Sequence, residues 1–183
     1  QAMGAARVAP APGGFLQATP DGEAAIAAAV EDVVGGAARI ADLFAGCGAF
    51  ALRLAADAEV HAVESDAAAL AALEDAWRKA DGLKRIETET RDLFRRPLVP
   101  LDLERFDAVV IDPPRAGAEA QCRELAKGGP PRIASVSCNP VTFARDAQIL
   151  IDGGYELLWA TPIDQFRWSA HIELVASFSG PDW

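Results

Sequence analysis

Ser137-Cys138-Asn139-Pro140 carries the clearest chemical content of this chain. It follows an expected strand at Arg132–Ser137 and precedes a helical pattern at 141–151, which puts Cys138 in a partly exposed loop at a helix N-terminus. The helix field there lowers a thiol pKa, and Arg145, one turn on, can add positive charge. A single cysteine is ordinarily a small buried hydrophobe, and Cys47 and Cys122 are read that way. For Cys138 the position at a strand's carboxyl end favours a nucleophile. His171 and Glu173 stand two apart on an expected strand and so share a face. The Glu173 carboxylate, at the mouth of that strand, can accept a proton near Cys138; a salt-bridged edge residue is the alternative.

A second group points to a bound cofactor. Asp42-Leu43-Phe44-Ala45-Gly46-Cys47-Gly48 reads as a strand entering a tight glycine turn and then a helix. Gly46 and Gly48 allow backbone to pass close to a ligand, and the helix N-terminus favours negative charge. Glu64 ends the next strand, about 20 residues on, where an acid accepts hydrogen bonds from ribose hydroxyls. Asp92 follows the third strand, where an adenine amino group can be read, with a helix cap as the alternative. Asp112-Pro113-Pro114-Arg115 follows the fourth strand and forms a stiff loop at the edge of the same crevice. Nicotinamide binding fits this skeleton too. No further glycine run sized for a pyrophosphate occurs, however, and a cofactor with one ribose and no phosphate fits better.

These positions depend on alternating elements. After a helix at 24–34, with Thr19 or Asp21 as cap, strands are expected at 39–44, Glu59–Glu64, Ile86–Thr90, 106–111 and Arg132–Ser137. Helices are expected at 48–56, 66–80, 118–127 and 141–151. Two last strands, 155–161 and 171–178, leave no room for a helix between them. The alternation predicts an α/β fold with βαβ units, a mostly parallel sheet and an antiparallel C-terminal edge. Residues 1–14, rich in Ala, Pro and Gly, are expected to be a loose arm or cloning remnant, and 15–183 a single domain.

Composition narrows the function classes. Three scattered cysteines support no disulfide framework and no metal-ligand spacing, so free thiols, no metal and a cytoplasmic location are expected. No run reaches the length of a membrane span, and no basic region followed by an apolar run marks a signal peptide. The formal charge of −10 opposes strong nucleic-acid binding by this chain alone.

In combination these segments resemble the RNA 5-methyluridine (uracil-5-)methyltransferase family. The resemblance rests on Phe15-Leu16-Gln17, the turn from Asp42 to Gly48, and Asp112-Pro113-Pro114-Arg115-Ala116-Gly117. It extends through Ser137-Cys138-Asn139-Pro140, Ala144-Arg145-Asp146 and His171-Ile172-Glu173, in the family's order and spacing. It implies a Rossmann-like class I methyltransferase with a mostly parallel seven-stranded sheet. It also implies S-adenosylmethionine as cofactor and an RNA uridine as substrate, ribosomal RNA before transfer RNA. By the same resemblance Cys138 is the nucleophile and Glu173 the base, and Gln17, Phe44, Gly46, Gly48, Glu64, Asp92 and Asp112 line the cofactor pocket. The family's turn often carries Asn where this chain has Ala49. Family members are about twice as long, so the resemblance implies a C-terminal catalytic part whose RNA-binding surface lies elsewhere. Two rival readings remain at this point: a class I methyltransferase acting on an amino group or protein, and a cofactor-binding module without catalysis.

Overall fold

A computed structural model describes residues 1–10, 19–164 and 172–181. Its first element departs from the expected loose arm. β1 (Ala2–Met3) and β2 (Ala6–Arg7) pair antiparallel, with Gly4 supplying the positive φ of the turn. Met3, Ala6 and Val8 are buried against the core, because the pleat turns these apolar residues to one side. The Gln1 side chain also bonds the buried carboxylate of Glu23, which accepts from Arg53 at 2.7 Å. Composition alone hid this packing, since Ala, Pro and Gly are as common in arms as in hairpins.

α1 (Pro20–Val34) starts earlier than the apolar pattern implies, because Thr19 caps Gly22 N at 3.1 Å and Pro20 suits the first turn. β3 (Arg39–Leu43), α2 (Ala51–Leu54), β4 (Glu59–Glu64), α3 (Ala67–Lys79) and β5 (Ile86–Thr90) then alternate. α2 is shorter than expected, since Gly46 and Gly48 both take positive φ and hold residues 46–50 as a turn. A short helix not foreseen, α4 (Pro100–Leu103), precedes β6 (Ala108–Ile111), α5 (Glu119–Gly128), β7 (Arg132–Ser137) and α6 (Pro140–Asp152). β8 (Glu156–Ile163) and β9 (Glu173–Ser179) complete the sheet.

The sheet has seven strands in the order β5-β4-β3-β6-β7-β9-β8. β3 to β7 are parallel, while β9 runs antiparallel to both β7 and β8. The antiparallel C-terminal edge is thus present, with β9 inside it and β8 outermost. Alternate strand residues feed two cores. Ile40, Val110 and Val136 face α1, α2 and α3, whereas Leu43, Ile111 and Ile133 face α4, α5 and α6. Each such buried side chain contributes roughly 1.5–3 kcal/mol relative to exposure. The result is a three-layer α/β/α sandwich. Among the described residues no helix is long and apolar enough to cross a membrane.

Candidate functional site

The strand order reverses between β3 and β6, and open α/β sheets form their ligand crevice at the carboxyl ends beside such a reversal. Asp112 N donates to Leu43 O at 3.2 Å, so the loop after β6 begins against the glycine turn after β3. Phe44 starts that turn with φ 62°, the one positive φ at a non-glycine among the described residues. A phenylalanine held there is strained, a condition that clusters at functional sites. Its ring packs on Phe94 with centroids 5.4 Å apart.

The two glycines differ. A Cβ on Gly46 would meet nothing within 4 Å, so its backbone faces open space. A Cβ on Gly48 would lie 2.8 Å from the Leu73 side chain, so Gly48 lets α3 pack against the turn rather than opening backbone to a ligand. Glu64, at the end of β4, accepts from Gly46 N at 3.1 Å through one oxygen. Its other oxygen accepts from Ser65 N, Asp66 N and the Ser65 hydroxyl. The carboxylate is thereby fixed in orientation beside the glycine turn. Asp92, two residues beyond β5, spends one oxygen on Phe94 N at 3.0 Å and Arg95 N at 3.3 Å. No helix follows Asp92, so the helix cap considered for it is not what these bonds make; they close a turn that presents Phe94.

Cys138 and Glu173 meet through strand register. Ser137 pairs with Leu174 across β7 and β9, so one step further brings Cys138 opposite Glu173. Glu173 is 3% exposed and Cys138 is half-buried. Burial pushes the Glu173 carboxyl up from its ordinary range. Burial also pushes the Cys138 thiol up, and the negative fields of Glu173 and Asp112 add to it, while Arg115 pulls the other way. The expectation of a thiol lowered by the helix field and Arg145 is therefore corrected: desolvation and two carboxylates outweigh the nearby cation. Arg145 instead serves a loop clamp. It donates to Asp146 at 2.9 and 2.7 Å and to Ala116 O at 3.0 Å.

That clamp runs from α6 to the loop after β6. Asp146, buried, accepts from Ala118 N at 2.6 Å, and Asn139 Nδ2 and Thr142 Oγ1 donate to Arg115 O at 3.0 and 3.2 Å. Asn139 also caps α6 by accepting from Val141 N at 3.1 Å. The segments carrying Asp112 and Cys138 are thus tied together by α6. Gly117, at φ 76°, is part of the fit: a Cβ there would lie 2.5 Å from the Arg145 guanidinium.

Asp112 is raised to about 8 by burial and by the carboxylates of Glu173 and Asp42. Asp42, missed as a site residue, is fully buried beneath the turn, accepts from Ala51 N at 2.9 Å, and is raised to about 7 by burial. Its other oxygen has no hydrogen-bond partner. A carboxylate inside the apolar run Ile40-Ala41-Asp42-Leu43 was the signal that could have found it. Phe94 and Asp146 were also missed, and for Asp146 no local pattern marks the contact across 28 residues to Ala118. Gln17 and His171 lie outside the described residues. Cys122 is buried with its thiol pushed up, an inert core position. Among the described residues no group of His, Cys, Asp and Glu is arranged to hold a metal ion.

Buried and half-buried carboxylates, a half-buried thiol and an open glycine backbone thus meet at one end of the sheet. The family model described as tRNA (Uracil-5-)-methyltransferase matches residues 23–178. An uncharacterized RNA methyltransferase of Mesorhizobium japonicum is 58% identical over 98% of this chain and 43% of its own length. The 23S rRNA (uracil(1939)-C(5))-methyltransferase RlmD of Alteromonas mediterranea is 40% identical over 77% of this chain and 30% of its own length. Among solved structures, Pyrococcus abyssi tRNA (uracil-54, C5)-methyltransferase in complex with S-adenosyl-L-homocysteine superposes with a TM-score of 0.77. It is 29% identical and covers 91% of this chain and 40% of its own. The chain spans less than half the length of these relatives. By the family match and these identities, the chain belongs to the tRNA (uracil-5-)-methyltransferase family.

Proposed function

We propose that this chain is the catalytic part of an S-adenosylmethionine-dependent enzyme that methylates carbon 5 of a uridine in RNA, with Cys138 as covalent nucleophile and Glu173 as base. The observation that carries the reading is the register across β7 and β9, which sets a thiol opposite a buried carboxylate at the carboxyl end of the sheet.

The cofactor assignment is supported by charge. Asp42, Glu64, Asp112 and Glu173 gather around the crevice, and burial or mutual repulsion raises Asp42, Asp112 and Glu173. Such a site favours a cationic ligand, because a nearby positive charge stabilises the ionised carboxylates. S-adenosylmethionine, when bound, supplies an electrophilic methyl group on a positively charged sulfur. In this reading Glu64 accepts from the ribose hydroxyls, and the open backbone at Gly46 lets the ligand approach. Phe44, Asp92 and Asp112 complete the wall, with Gln17 as a further member from the family resemblance. Gly48 shapes the turn.

The residues divide the chemistry as follows. Cys138 Sγ, its proton lost to solvent, adds to carbon 6 of the uracil, and the electron pair of the 5,6 double bond moves towards carbon 5. The positive charge of a bound cofactor would favour the thiolate by offsetting the fields of Glu173 and Asp112. With the cofactor bound, carbon 5 would take its methyl group, and the electron pair of the broken sulfur–carbon bond would stay on the cofactor's sulfur. The Glu173 carboxylate then removes the proton from carbon 5, and the electron pair left behind re-forms the double bond as Cys138 Sγ departs. A carboxylate raised by burial is a stronger base than an exposed one, which suits this step. The target base must leave its stack to reach the thiol. Ribosomal RNA is the favoured substrate, on the likeness to a relative named as a 23S rRNA methyltransferase, 40% identical over 77% of this chain.

The test is intact mass after incubation with S-adenosylmethionine and 5-fluorouridine-substituted RNA. Fluorine cannot be removed as a proton, so the adduct is expected to persist and to vanish in Cys138→Ala. An adduct unchanged by Cys138→Ala would overturn the assignment of the nucleophile.

A further inference from the structure

Beside the clamped loop lies a concavity of about 390 Å³ that the chemistry above leaves unused. Its lining includes the small residues Ala116, Gly117 and Ala120 together with the Phe94 ring. Phe94 is 46% exposed, the one aromatic among the exposed large hydrophobics of the described residues, and its ring packs on Phe44. Arg123 and Arg145 stand on the rim, with Glu119 between them at 2.8 and 3.5 Å. Phe94 is followed by Arg95 and Arg96, both exposed. On a chain of net charge −10, guanidinium groups are thus concentrated beside an exposed aromatic face and small residues.

We propose that this concavity is a subsite for a nucleotide of the substrate RNA adjacent to the target uridine, its base against Phe94 and its phosphate towards Arg123 and Arg145. The inference rests on the proposed function, and it adds where the strand lies. Single-stranded RNA is held by bases stacked on aromatic side chains and by Arg at phosphates. The position agrees with that use. Ala116 and Gly117 belong to the loop that begins at Asp112, and Arg145 lies seven residues beyond Cys138, on the order of 10 Å along α6. The lining also differs from the cofactor crevice, where carboxylates rather than arginines gather. Glu119 pairs with both Arg123 and Arg145, Asp146 also pairs with Arg145, and Asp92 pairs with Arg95. With Arg96, four arginines thus face three carboxylates and leave a net of one positive charge for the phosphate on an acidic protein.

The experiment is fluorescence anisotropy of a labelled single-stranded uridine-containing oligoribonucleotide across a salt series, with S-adenosylhomocysteine binding measured by calorimetry on the same samples. Arg123→Gln, an exposed and foldable change, is expected to weaken RNA binding several-fold and to lower the slope of log affinity against log salt by about 1. Ala120→Glu, which places a negative charge in the concavity, is expected to weaken RNA binding roughly ten-fold, and both variants should hold S-adenosylhomocysteine as the parent does. Unchanged RNA affinity and slope in both variants would overturn the subsite, as would the absence of RNA binding by the parent at low salt. Loss of S-adenosylhomocysteine affinity in Ala120→Glu would overturn it differently, by showing the concavity to hold the cofactor's adenine. The 5-fluorouridine adduct separates the two levels: an adduct with unchanged Arg123→Gln binding sinks only the subsite. No adduct alongside the expected loss of slope sinks the uracil chemistry.

Discussion

Replacing Asp146 by alanine removes the centre of the clamp between α6 and the loop after β6. Ala118 N, which donates to it at 2.6 Å in a buried setting, is left without an acceptor. An unsatisfied buried donor costs about 1–3 kcal/mol. The pair with Arg145 adds less, about 0–1 kcal/mol, because Arg145 is 39% exposed and solvent screens it. Together the loss is about 3 kcal/mol, which lowers the melting temperature of a domain of this size by roughly 6–12 °C. Asp146→Asn keeps an oxygen for Ala118 N and gives up the charge, so it should cost only about 1 kcal/mol. The assay is thermal unfolding by circular dichroism, run beside the rate of adduct formation. A loop displaced by a fraction of an ångström should slow that rate about ten-fold even below the melting transition. Equal melting temperatures for the alanine and asparagine variants would refute the assignment of the Ala118 bond as the main contribution. An unaltered adduct rate in folded Asp146→Ala would show that the clamp does not align the two loops.

Other outcomes follow from the electrostatics and the turn. Glu173→Gln removes a negative charge that raises the Cys138 thiol, so iodoacetamide labelling of Cys138 at pH 8 should quicken about three- to ten-fold; a slower reaction would contradict the stated field. Asp42, raised from 3.8 to about 7 in the folded state, binds its proton more tightly folded than unfolded. The ligand-free protein should therefore lose up to about 4 kcal/mol of stability as pH rises from 4 to 7, a slope that urea titrations of Asp42→Asn should show flattened. Gly48→Ala brings a Cβ to 2.8 Å from Leu73 at φ 94° and should cost about 2–3 kcal/mol, measured by chemical denaturation, whereas a cost under about 0.5 kcal/mol would mean the turn relaxes freely.

The strands were legible because burial on both faces leaves continuous apolar runs such as Ala108–Ile111, and their alternation with helices allows few topologies. Glu59–Glu64 and Arg132–Ser137 were readable to the residue for that reason, whereas Ile86–Thr90, an edge strand of sequence IETET, was marked by its β-branched residues. The residues at strand ends could be located in the same way, because βαβ units deliver carboxyl ends to one side. What sequence could not carry was how those ends interact. Whether the helix field or burial dominates Cys138 depends on how much water its neighbours exclude, and Glu173 lies 35 positions away. Asp42 reads as an ordinary polar interruption until its strand proves central. The hairpin at residues 1–8 escaped because two-residue strands have too few positions to show alternation.

The placement of β9 between β7 and β8 has a consequence for how the protein is made. Cys138 leaves the ribosome well before Glu173, and the strands up to β7 can pair before Glu173 is made, whereas β8, which pairs with β9, must wait for it. Until residues 173–179 arrive, β7 presents a row of unpaired backbone groups, an open edge of the kind that recruits other chains. The same strand that carries Glu173 to Cys138 closes that edge. A product stopped before residue 173 would thus keep that edge open, leave β8 without its partner strand, and be prone to aggregate.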